Sequence, residues 1–385
     1  MTYKFLEPLT LANGVTLKNR IVFPPTTLRS SYASGEVADA ELDYYALRAG
    51  GPGMVIVEMA YVSKAGRSYL GQIGIDDDDK IPGLKRLADV IRHKGSVPVL
   101  QLSFGGRIAH PEALPHEDLV APSAVAGHHL TDVPRELSNA EIEQSIVDFG
   151  EATRRAIAAG FAGVELHGAN MYLLQQFFSA DSNRRTDEWG GDVNGRMRYG
   201  LAVLDQVVKV RDAYADDKFI IGFRQSPEEP MTPGIRHQDA LLMAQEIAKR
   251  PISYFHISLK DAFQPPFMDK ADNEPLYAKY KAVLGAIPLI GVGLLRTPEQ
   301  VEALVQAGVD AAAVGRELII DPNWVQKVEN GDEKGIRYAI SPSDFELLKI
   351  PSPLIPWLST RFHNGFVMST DASYDPQNPW AYYKA

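Results

Sequence analysis

Residues 161–191 of the chain, FAGVELHGANMYLLQQFFSADSNRRTDEWGG, decide its fold class. The first six residues have the composition of a buried strand and are apolar apart from one glycine and Glu165. A polar cluster of His167, Asn170 and Tyr172 follows this strand directly. In barrels of parallel strands, active sites lie at the carboxyl ends of the strands, where the loops converge on one mouth. The stretch is therefore typical of a strand that delivers chemical groups to such a mouth.

Outward from this stretch, a strand pattern followed by a helical pattern occurs eight times, which indicates a parallel sheet with crossover helices. The predicted strands are residues 20–23, 54–58, 97–102, 163–167, 219–224, 254–257, 288–290 and 311–314. The helices predicted between them include residues 39–49, 83–94, 139–159, 196–213, 238–249 and 298–307. Eight such rounds predict an α/β fold, the (β/α)8 TIM barrel. Open doubly wound sheets usually carry a glycine-rich turn after the first strand, where this chain has two prolines and two threonines.

The length of 385 residues fits one barrel with insertions, so a single domain over residues 1–385 is expected, with two domains as the alternative. Residues 107–137 are rich in proline, histidine and acidic residues, and we expect an insertion at the barrel mouth after the third strand. Residues 341–385 are proline-rich and predict an irregular C-terminal tail. Of the aromatic residues in the tail, we expect Trp357, Trp380, Tyr382 and Tyr383 to dock on this subunit or a neighbour.

The composition excludes several classes of function. Hydrophobic residues make up 45% and charged residues 23%, as in an ordinary globular protein. No apolar run is long enough for a membrane span and the first residues lack a signal pattern, so the expectation is a cytoplasmic protein with no membrane partner. A net charge of −10 argues against non-specific binding to nucleic acid, because the phosphate backbone selects a basic surface. The chain has no cysteine. This excludes disulfides, thiolate catalysis and cysteine-ligated zinc or iron–sulfur clusters.

Two turns predict a phosphate site. Residues 290–294, Ile-Gly-Val-Gly-Leu, follow the seventh strand, and residues 314–316, Val-Gly-Arg, follow the eighth. Each leads into a helix whose first N–H groups can face an anion, and these two loops form the usual phosphate site of a barrel. Gly315 allows a close backbone approach, and Arg316 can hold two oxygens at once. Either turn alone would be explained by a tight bend.

Polar side chains at other strand ends predict a planar ligand. Thr26 and Thr27 end the first strand, Gln101 ends the third and Arg224 ends the fifth. Each one alone could simply be solvated. Together they suit a heterocycle, because Gln101 offers a donor and an acceptor to an amide-like edge and Arg224 can stabilise negative charge on a reduced ring.

The cluster after the fourth strand has two interpretations. The first is a buried, hydrogen-bonded histidine followed by a turn asparagine. In the second, His167 and Asn170 are donors that polarise a carbonyl or phenolate oxygen, and Tyr172 is a general acid, since the ordinary pKa of tyrosine, about 10, keeps it protonated. No second histidine or carboxylate lies at ligand spacing, so no metal site is expected.

These motifs together resemble the old yellow enzyme family of FMN-dependent ene reductases, over nearly the whole chain. The segment most specific to that family is residues 182–191, Ser-Asn-Arg-Arg-Thr-Asp-Glu-Trp-Gly-Gly, and the chain looks most like the bacterial NADH-dependent flavin oxidoreductases. Other matching segments are LKNRIV at residues 17–22, QL at 101–102, HGAN at 167–170 and VGREL at 314–318.

The resemblance implies FMN as cofactor and NADH or NADPH as hydride donor. The residues that it places on the flavin are Pro24, Pro25, Thr26, Thr27, Met59, Gln101, His167, Arg224, Gly293, Gly315 and Arg316. Within this set, Thr27 would tune the ring, Gln101 would bind its pyrimidine edge and Arg224 would lie beside N1 and O2. The last three residues of the list would hold the phosphate.

The catalytic residues implied by the resemblance are His167, Asn170 and Tyr172. The first two would bind the carbonyl oxygen of an activated alkene, or a phenolic ligand, and Tyr172 would protonate the α-carbon after hydride reaches the β-carbon. Met171 stands where the family usually has glycine, which could alter the turn that aims Tyr172.

Two other functions are compatible with the motifs. A phosphate-binding barrel lyase or aldolase would use Lys260, the only candidate lysine at a strand end. A flavin-binding protein with little turnover is the other alternative. Small-molecule alkenes are the expected partners, and the sequence leaves homo-oligomer formation open.

Overall fold

The computed structural model describes residues 3–127 and 131–360. Eight parallel strands close a barrel, which confirms the predicted (β/α)8 fold. We number them first to eighth in chain order: Ile21–Phe23, Met54–Tyr61, Val97–Ser103, Gly163–Gly168, Ile220–Gln225, Tyr254–Ile257, Leu289–Val292 and Ala311–Ala313. The eighth strand pairs with the first, with Ala312 opposite Ile21, and this pairing closes the ring.

Helices connect successive strands. The longer ones are Asp39–Arg48, Ile81–His93, Asn139–Ala158, Val193–Tyr214, His237–Ala248, Leu276–Leu284 and Pro298–Gln306. Shorter helices are Leu173–Phe178, Arg316–Ile320 and Trp324–Glu329. The helix Leu276–Leu284 has no counterpart among the predicted helices, because it spans only nine residues and begins without a side-chain cap. Within the described residues, none of the helices is long and apolar enough to cross a membrane.

The side chains inside the barrel form two layers. Since alternate residues of a strand point to the same face, residues two apart on one strand share the interior. At the amino ends lies an apolar layer, which we call the floor: Val22, Met54, Ile56, Val99, Ile220, Tyr254, Ile290 and Ala311. At the carboxyl ends lies a buried polar layer, which we call the mouth: Gln101, Glu165, His167, Arg224 and His256. The barrel interior is thus apolar at one end and polar at the other.

A small hairpin packs on the floor. Its strands, Leu9–Thr10 and Thr16–Leu17, pair antiparallel, and Leu9 and Leu17 contact the apolar layer. Gly14 in the connecting turn has φ 80°, a conformation that suits glycine. The sequence analysis did not predict this hairpin, although Asn-Gly is a strong hairpin signal.

The elements in the described part of the region between the third strand and Asn139–Ala158 are short. Turns of 3₁₀ helix occur at Gly106–Ile108 and Pro111–Ala113, and the two-residue strands Val120–Ala121 and Arg135–Glu136 pair with each other. Its role as an insertion that shapes an entrance stays a prediction.

The described part of the tail contains short helical pieces, Pro342–Asp344, Ser352–Leu354 and Ile355–Thr360. The irregular tail stays a prediction, and in the two three-residue pieces prolines occupy the first turn, where a missing N–H breaks no helical hydrogen bond. The side chain of Trp357 lies outside the described part, as do three whole residues: Trp380, Tyr382 and Tyr383.

Candidate active site

A cleft of about 360 Å³ lies at the carboxyl ends of the first, seventh and eighth strands. Six residues predicted to bind a cofactor line it: Pro25, Thr26, Thr27, Gly293, Gly315 and Arg316. Pro24 packs beside it, since a Cβ atom at Gly315 would lie 3.2 Å from Pro24 Cγ. The structure therefore brings the two predicted phosphate turns together with the end of the first strand.

The two glycines of the cleft differ in how strictly they are required. Gly293 has φ 135°, and a Cβ atom there would lie 2.6 Å from the backbone nitrogen of Ala262. Gly315 has an ordinary φ of −92°. Glycine is therefore required at 293 by both conformation and contact, whereas at 315 Pro24 alone among the described residues restricts a side chain.

The three predicted catalytic residues meet at one rim of the barrel mouth. The rings of His167 and Tyr172 lie 4.9 Å apart between centroids. Ser258 Oγ donates to Asn170 Oδ1 at 3.2 Å and accepts from Arg224 Nη2 at 3.3 Å. His167 lies opposite Arg224 in the pairing of the fourth and fifth strands. Hydrogen bonds and strand register thus join side chains from separate strands into one group.

A buried network around Glu165 lies behind this rim. Gln101 Nε2 donates to Glu165 Oε1 at 2.7 Å, and Tyr254 Oη donates to Glu165 Oε2 at 3.0 Å. His256 Nδ1 lies 2.9 Å from the same Oε2. Apart from Gln101, the sequence analysis assigned these residues no role. The available signal was polar residues two positions apart on one strand, Glu165 with His167, because such residues share a face.

The charges in this network follow from its contacts. Burial would raise the pKa of Glu165, but His256, Arg224 and Gln101 outweigh burial and hold that pKa below its ordinary value. Burial lowers the pKa of His256, although Glu165 partly opposes this shift. An ionised Glu165 accepts, so His256 donates through Nδ1 and its Nε2 carries a lone pair. This Nε2 is buried and has no hydrogen-bond partner among the described residues.

His167 is neutral at physiological pH. Burial, followed by the positive charge of Arg224 and by His256, lowers its pKa well below the ordinary value. Its Nδ1 is buried with no partner in the described part of the chain, and the same holds for Arg224 Nε. The mouth therefore presents several buried polar atoms that a ligand could satisfy.

The structure also places Met59, which was predicted to contact the flavin, and Lys260, the candidate lysine of the lyase alternative. Met59 is buried on the second strand, where its carbonyl accepts from Gln72 Nε2 at 3.1 Å, and it does not line the 360 Å³ cleft. Lys260 does line that cleft, and its side chain is exposed.

Residues 4–335 match the model of the NADH:flavin oxidoreductase / NADH oxidase family. The chain belongs to this family. It is 40% identical over 352 residues to the probable NADH-dependent flavin oxidoreductase YqiG of Bacillus subtilis (strain 168), covering 90% of this chain and 94% of that protein. It is 42% identical over 356 residues to the NADH:fumarate oxidoreductase of Klebsiella pneumoniae (strain 342), covering 91% of this chain but only 38% of that protein.

A solved structure extends the comparison to three dimensions. The old yellow enzyme homologue from Zymomonas mobilis superposes with a TM-score of 0.73 at 25% identity, over 85% of this chain and 93% of that chain. The resemblance to the old yellow enzyme family is thereby confirmed, and with it an oxidoreductase that uses FMN and NADH or NADPH. The lyase alternative is not supported, because the family consists of oxidoreductases and Lys260 lacks the desolvated pocket that activates a Schiff-base lysine.

Proposed function

We propose that this flavin oxidoreductase reduces the C=C bond of electron-poor alkenes. The observation that carries the proposal is the convergence of His167, Asn170 and Tyr172 at one rim of the barrel mouth. When bound, FMN would supply the hydride chemistry that links NADH or NADPH to the β-carbon of the alkene. The chain's own residues have to hold the cofactor, bind the substrate and supply a proton.

The site fits FMN. Gly293 leaves room where any Cβ atom would meet backbone, and Arg316 lines the same cleft with a guanidinium that suits phosphate. At the mouth, Arg224 Nε is a buried donor without a partner among the described residues. This N–H is therefore available to a reduced flavin ring, whose negative charge the guanidinium would stabilise. The full set proposed to hold FMN is Pro24, Pro25, Thr26, Thr27, Met59, Gln101, His167, Arg224, Gly293, Gly315 and Arg316.

His167 and Asn170 are proposed to bind the carbonyl oxygen of the substrate, or a phenolic ligand. A neutral His167 offers one ring N–H as a donor. Ser258 donates to the amide oxygen of Asn170, so the NH2 group is the end that Asn170 presents to a ligand. Two neutral donors polarise the carbonyl and draw electron density from the β-carbon, which makes it a better hydride acceptor.

Tyr172 is proposed as the proton donor. As hydride adds to the β-carbon, the phenol O–H of Tyr172 breaks and its proton forms a new C–H bond at the α-carbon. The phenolate then recovers a proton from solvent. The alkene thus gains one hydride and one proton, and the reaction balances.

The substrates are proposed to be small alkenes activated by a carbonyl or carboxylate group. The name of the Klebsiella relative points to fumarate, but this chain spans only 38% of that protein, so the part that acts on fumarate need not be the shared one. Both a neutral enone and a dicarboxylate should therefore be tested.

The test is an anaerobic visible spectrum of the purified protein, followed by NADH and then by 2-cyclohexenone or fumarate. We expect a yellow protein that bleaches with NADH and regains its colour with at least one alkene. Bleaching without recovery by either alkene would contradict alkene reduction and leave a flavoprotein with another acceptor. A colourless protein that takes up no FMN would contradict the proposed site.

A further inference from the structure

The turn that carries the proposed catalytic residues has a conformation that its sequence disfavours. Asn170 has φ 56° and Met171 has φ 66°, both in the left-handed region. Asparagine tolerates this region, but methionine, with its Cβ atom close to the following carbonyl, does not. The chain therefore needs contacts that hold Met171 in place, immediately before Tyr172.

Two consecutive glutamines supply those contacts. The backbone N–H of Met171 donates to Gln175 Oε1 at 2.9 Å, and the carbonyl of Met171 accepts from Gln176 Nε2 at 2.7 Å. Both glutamine side chains are buried, with exposed fractions of 3% and 1%. Both polar backbone groups of Met171 are thus bound by side chains from the helix Leu173–Phe178 that follows.

Each glutamine is also anchored outside that helix. Gln175 Nε2 donates to Glu229 Oε1 at 2.6 Å, and Glu229 Oε2 accepts from the backbone N–H of Ile235 at 3.1 Å. Gln176 Nε2 also donates to the carbonyl of Gly105 at 3.0 Å. A glutamine amide can donate and accept at once. Methionine of similar length cannot donate and accepts only weakly, and glutamate would meet Glu229 with a like charge.

We propose that Gln175 and Gln176 are positioning residues that clamp the left-handed turn at Met171 and so aim its neighbours Asn170 and Tyr172. The clamp allows methionine at a position where the resemblance places glycine. This inference rests on the proposed role of Tyr172 as proton donor. It adds that a chain of hydrogen bonds from Met171 through Gln175 to Glu229 holds Tyr172 in position. The turn continues directly into the helix that follows, because the backbone N–H of Gln176 donates to the Tyr172 carbonyl at 2.9 Å.

The main test replaces Gln175 with methionine. We expect Gln175→Met to slow flavin reoxidation by an alkene about tenfold, because a misaimed donor reacts slowly, while reduction by NADH changes less than about twofold. The matched control is Gln144→Met, because Gln144 is an exposed glutamine whose Nε2 donates to Asp148 Oδ1 at 2.9 Å. The rates of both half-reactions in this control are expected to equal those of the unmodified protein.

Two combinations separate this clamp from general damage. In the Tyr172→Phe background, Gln175→Met should slow the alkene step by a smaller factor than in the unmodified chain, because Asn170 is then the only one of the two aimed groups that remains. Adding Met171→Gly to Gln175→Met should restore most of the alkene rate, since glycine adopts the left-handed turn without a clamp. If Gln175→Met alone does not fold, the double variant is still expected to fold, and its failure to fold would overturn the clamp.

A readout that does not use catalysis is the thermal midpoint. Met171→Gly should raise the midpoint by roughly 2 °C more in the Gln175→Met background than in the unmodified chain. Equal shifts in both backgrounds, or an unaltered alkene rate in Gln175→Met, would overturn the clamp and leave the proposed function intact. If instead Tyr172→Phe does not slow the alkene step, the proposed acid role fails, and the midpoint comparison alone decides whether the clamp exists.

Discussion

The floor and the mouth are opposite ends of one barrel, and the third, fifth and sixth strands contribute to both, yet the two layers differ in the chemistry of their buried side chains. The floor contains side chains such as Ile56 and Ile220, which are fully buried among apolar neighbours. At the carboxyl ends of the strands, the mouth contains Glu165, His167 and Arg224, buried to nearly the same extent. The comparison teaches that burial alone does not distinguish a core from a site. The distinction is whether the buried atoms are apolar or carry hydrogen-bonding groups that still need partners.

The two layers also contribute to different properties. Removal of apolar surface from water stabilises the folded state, so the floor contributes mainly to the free energy of folding. Burial of charges costs free energy unless partners are present, and the described residues supply only some of the hydrogen-bond partners that the mouth needs. A change in the mouth should therefore affect chemistry more than stability, and a change in the floor should do the reverse.

The largest effect is expected from Tyr172→Phe at the rim of the mouth, where the ring of Tyr172 lies beside that of His167. Loss of the proposed proton donor should slow alkene reduction by about 10²- to 10⁴-fold, the range for general acid catalysis. Reduction of the flavin by NADH should change little, because that step needs no proton from Tyr172. Stopped-flow absorbance of the two half-reactions measures both rates. An unchanged alkene rate would remove Tyr172 from the mechanism and weaken the contrast between the layers.

The next largest effect is expected from Ile56→Ala on the floor. Loss of a fully buried side chain should lower the free energy of unfolding by about 2–5 kcal/mol. Denaturant unfolding followed by circular dichroism measures this loss. The alkene rate per folded, FMN-loaded molecule should stay within about twofold of normal, since the floor touches no reacting group. A large fall in that rate would show that the floor also shapes the site.

The smallest effect is a pH dependence that arises from His167. The folded state holds the pKa of His167 well below its ordinary value, chiefly by burial, whereas the unfolded chain has a pKa near 6.5. As the pH falls below about 6.5, only the unfolded state takes up this proton, so stability is lost on the acid side. Between pH 7.5 and 5.5 the loss from this group should be roughly 1 kcal/mol.

The histidine prediction is isolated by a variant. His256 shifts in the same direction, so the whole protein should lose more stability than one group explains. In His167→Gln the pH dependence of the free energy of unfolding should be shallower by the contribution of His167. Identical pH dependence in both proteins would mean that His167 is not held neutral in the folded state.

Much of the fold could be predicted because its signals are local. The strand at Tyr254–Ile257 has the predicted bounds, and the second strand begins at Met54 as predicted but extends to Tyr61 across an irregularity in its pairing with the third. The helix Val193–Tyr214, for which the pattern predicts a start at residue 196, begins earlier at an Asp192 cap. Such differences at element ends arise because caps and pairing, rather than hydrophobic periodicity, decide where an element stops.

Less of the candidate site could be predicted. The two phosphate turns and the residues after the fourth strand were found because their types and spacing along the chain are characteristic. Glu165 was noticed only as a polar exception in a strand, because its meaning depends on Tyr254 and His256, about ninety residues away. The support of Met171 by Gln175 was also hidden, since nothing in the letters shows that residue 171 is left-handed.

The order of strands and helices, the polar strand ends and the phosphate turns follow from local spacing, because periodicity and turn chemistry act over a few residues. Tertiary structure alone decided which strand ends meet, that Glu165 is ionised while His167 is neutral, and how Asn170 is oriented by Ser258. These properties depend on strand register, burial and the charges of side chains far apart in the chain. Side chains from different strands come close together only when the barrel closes.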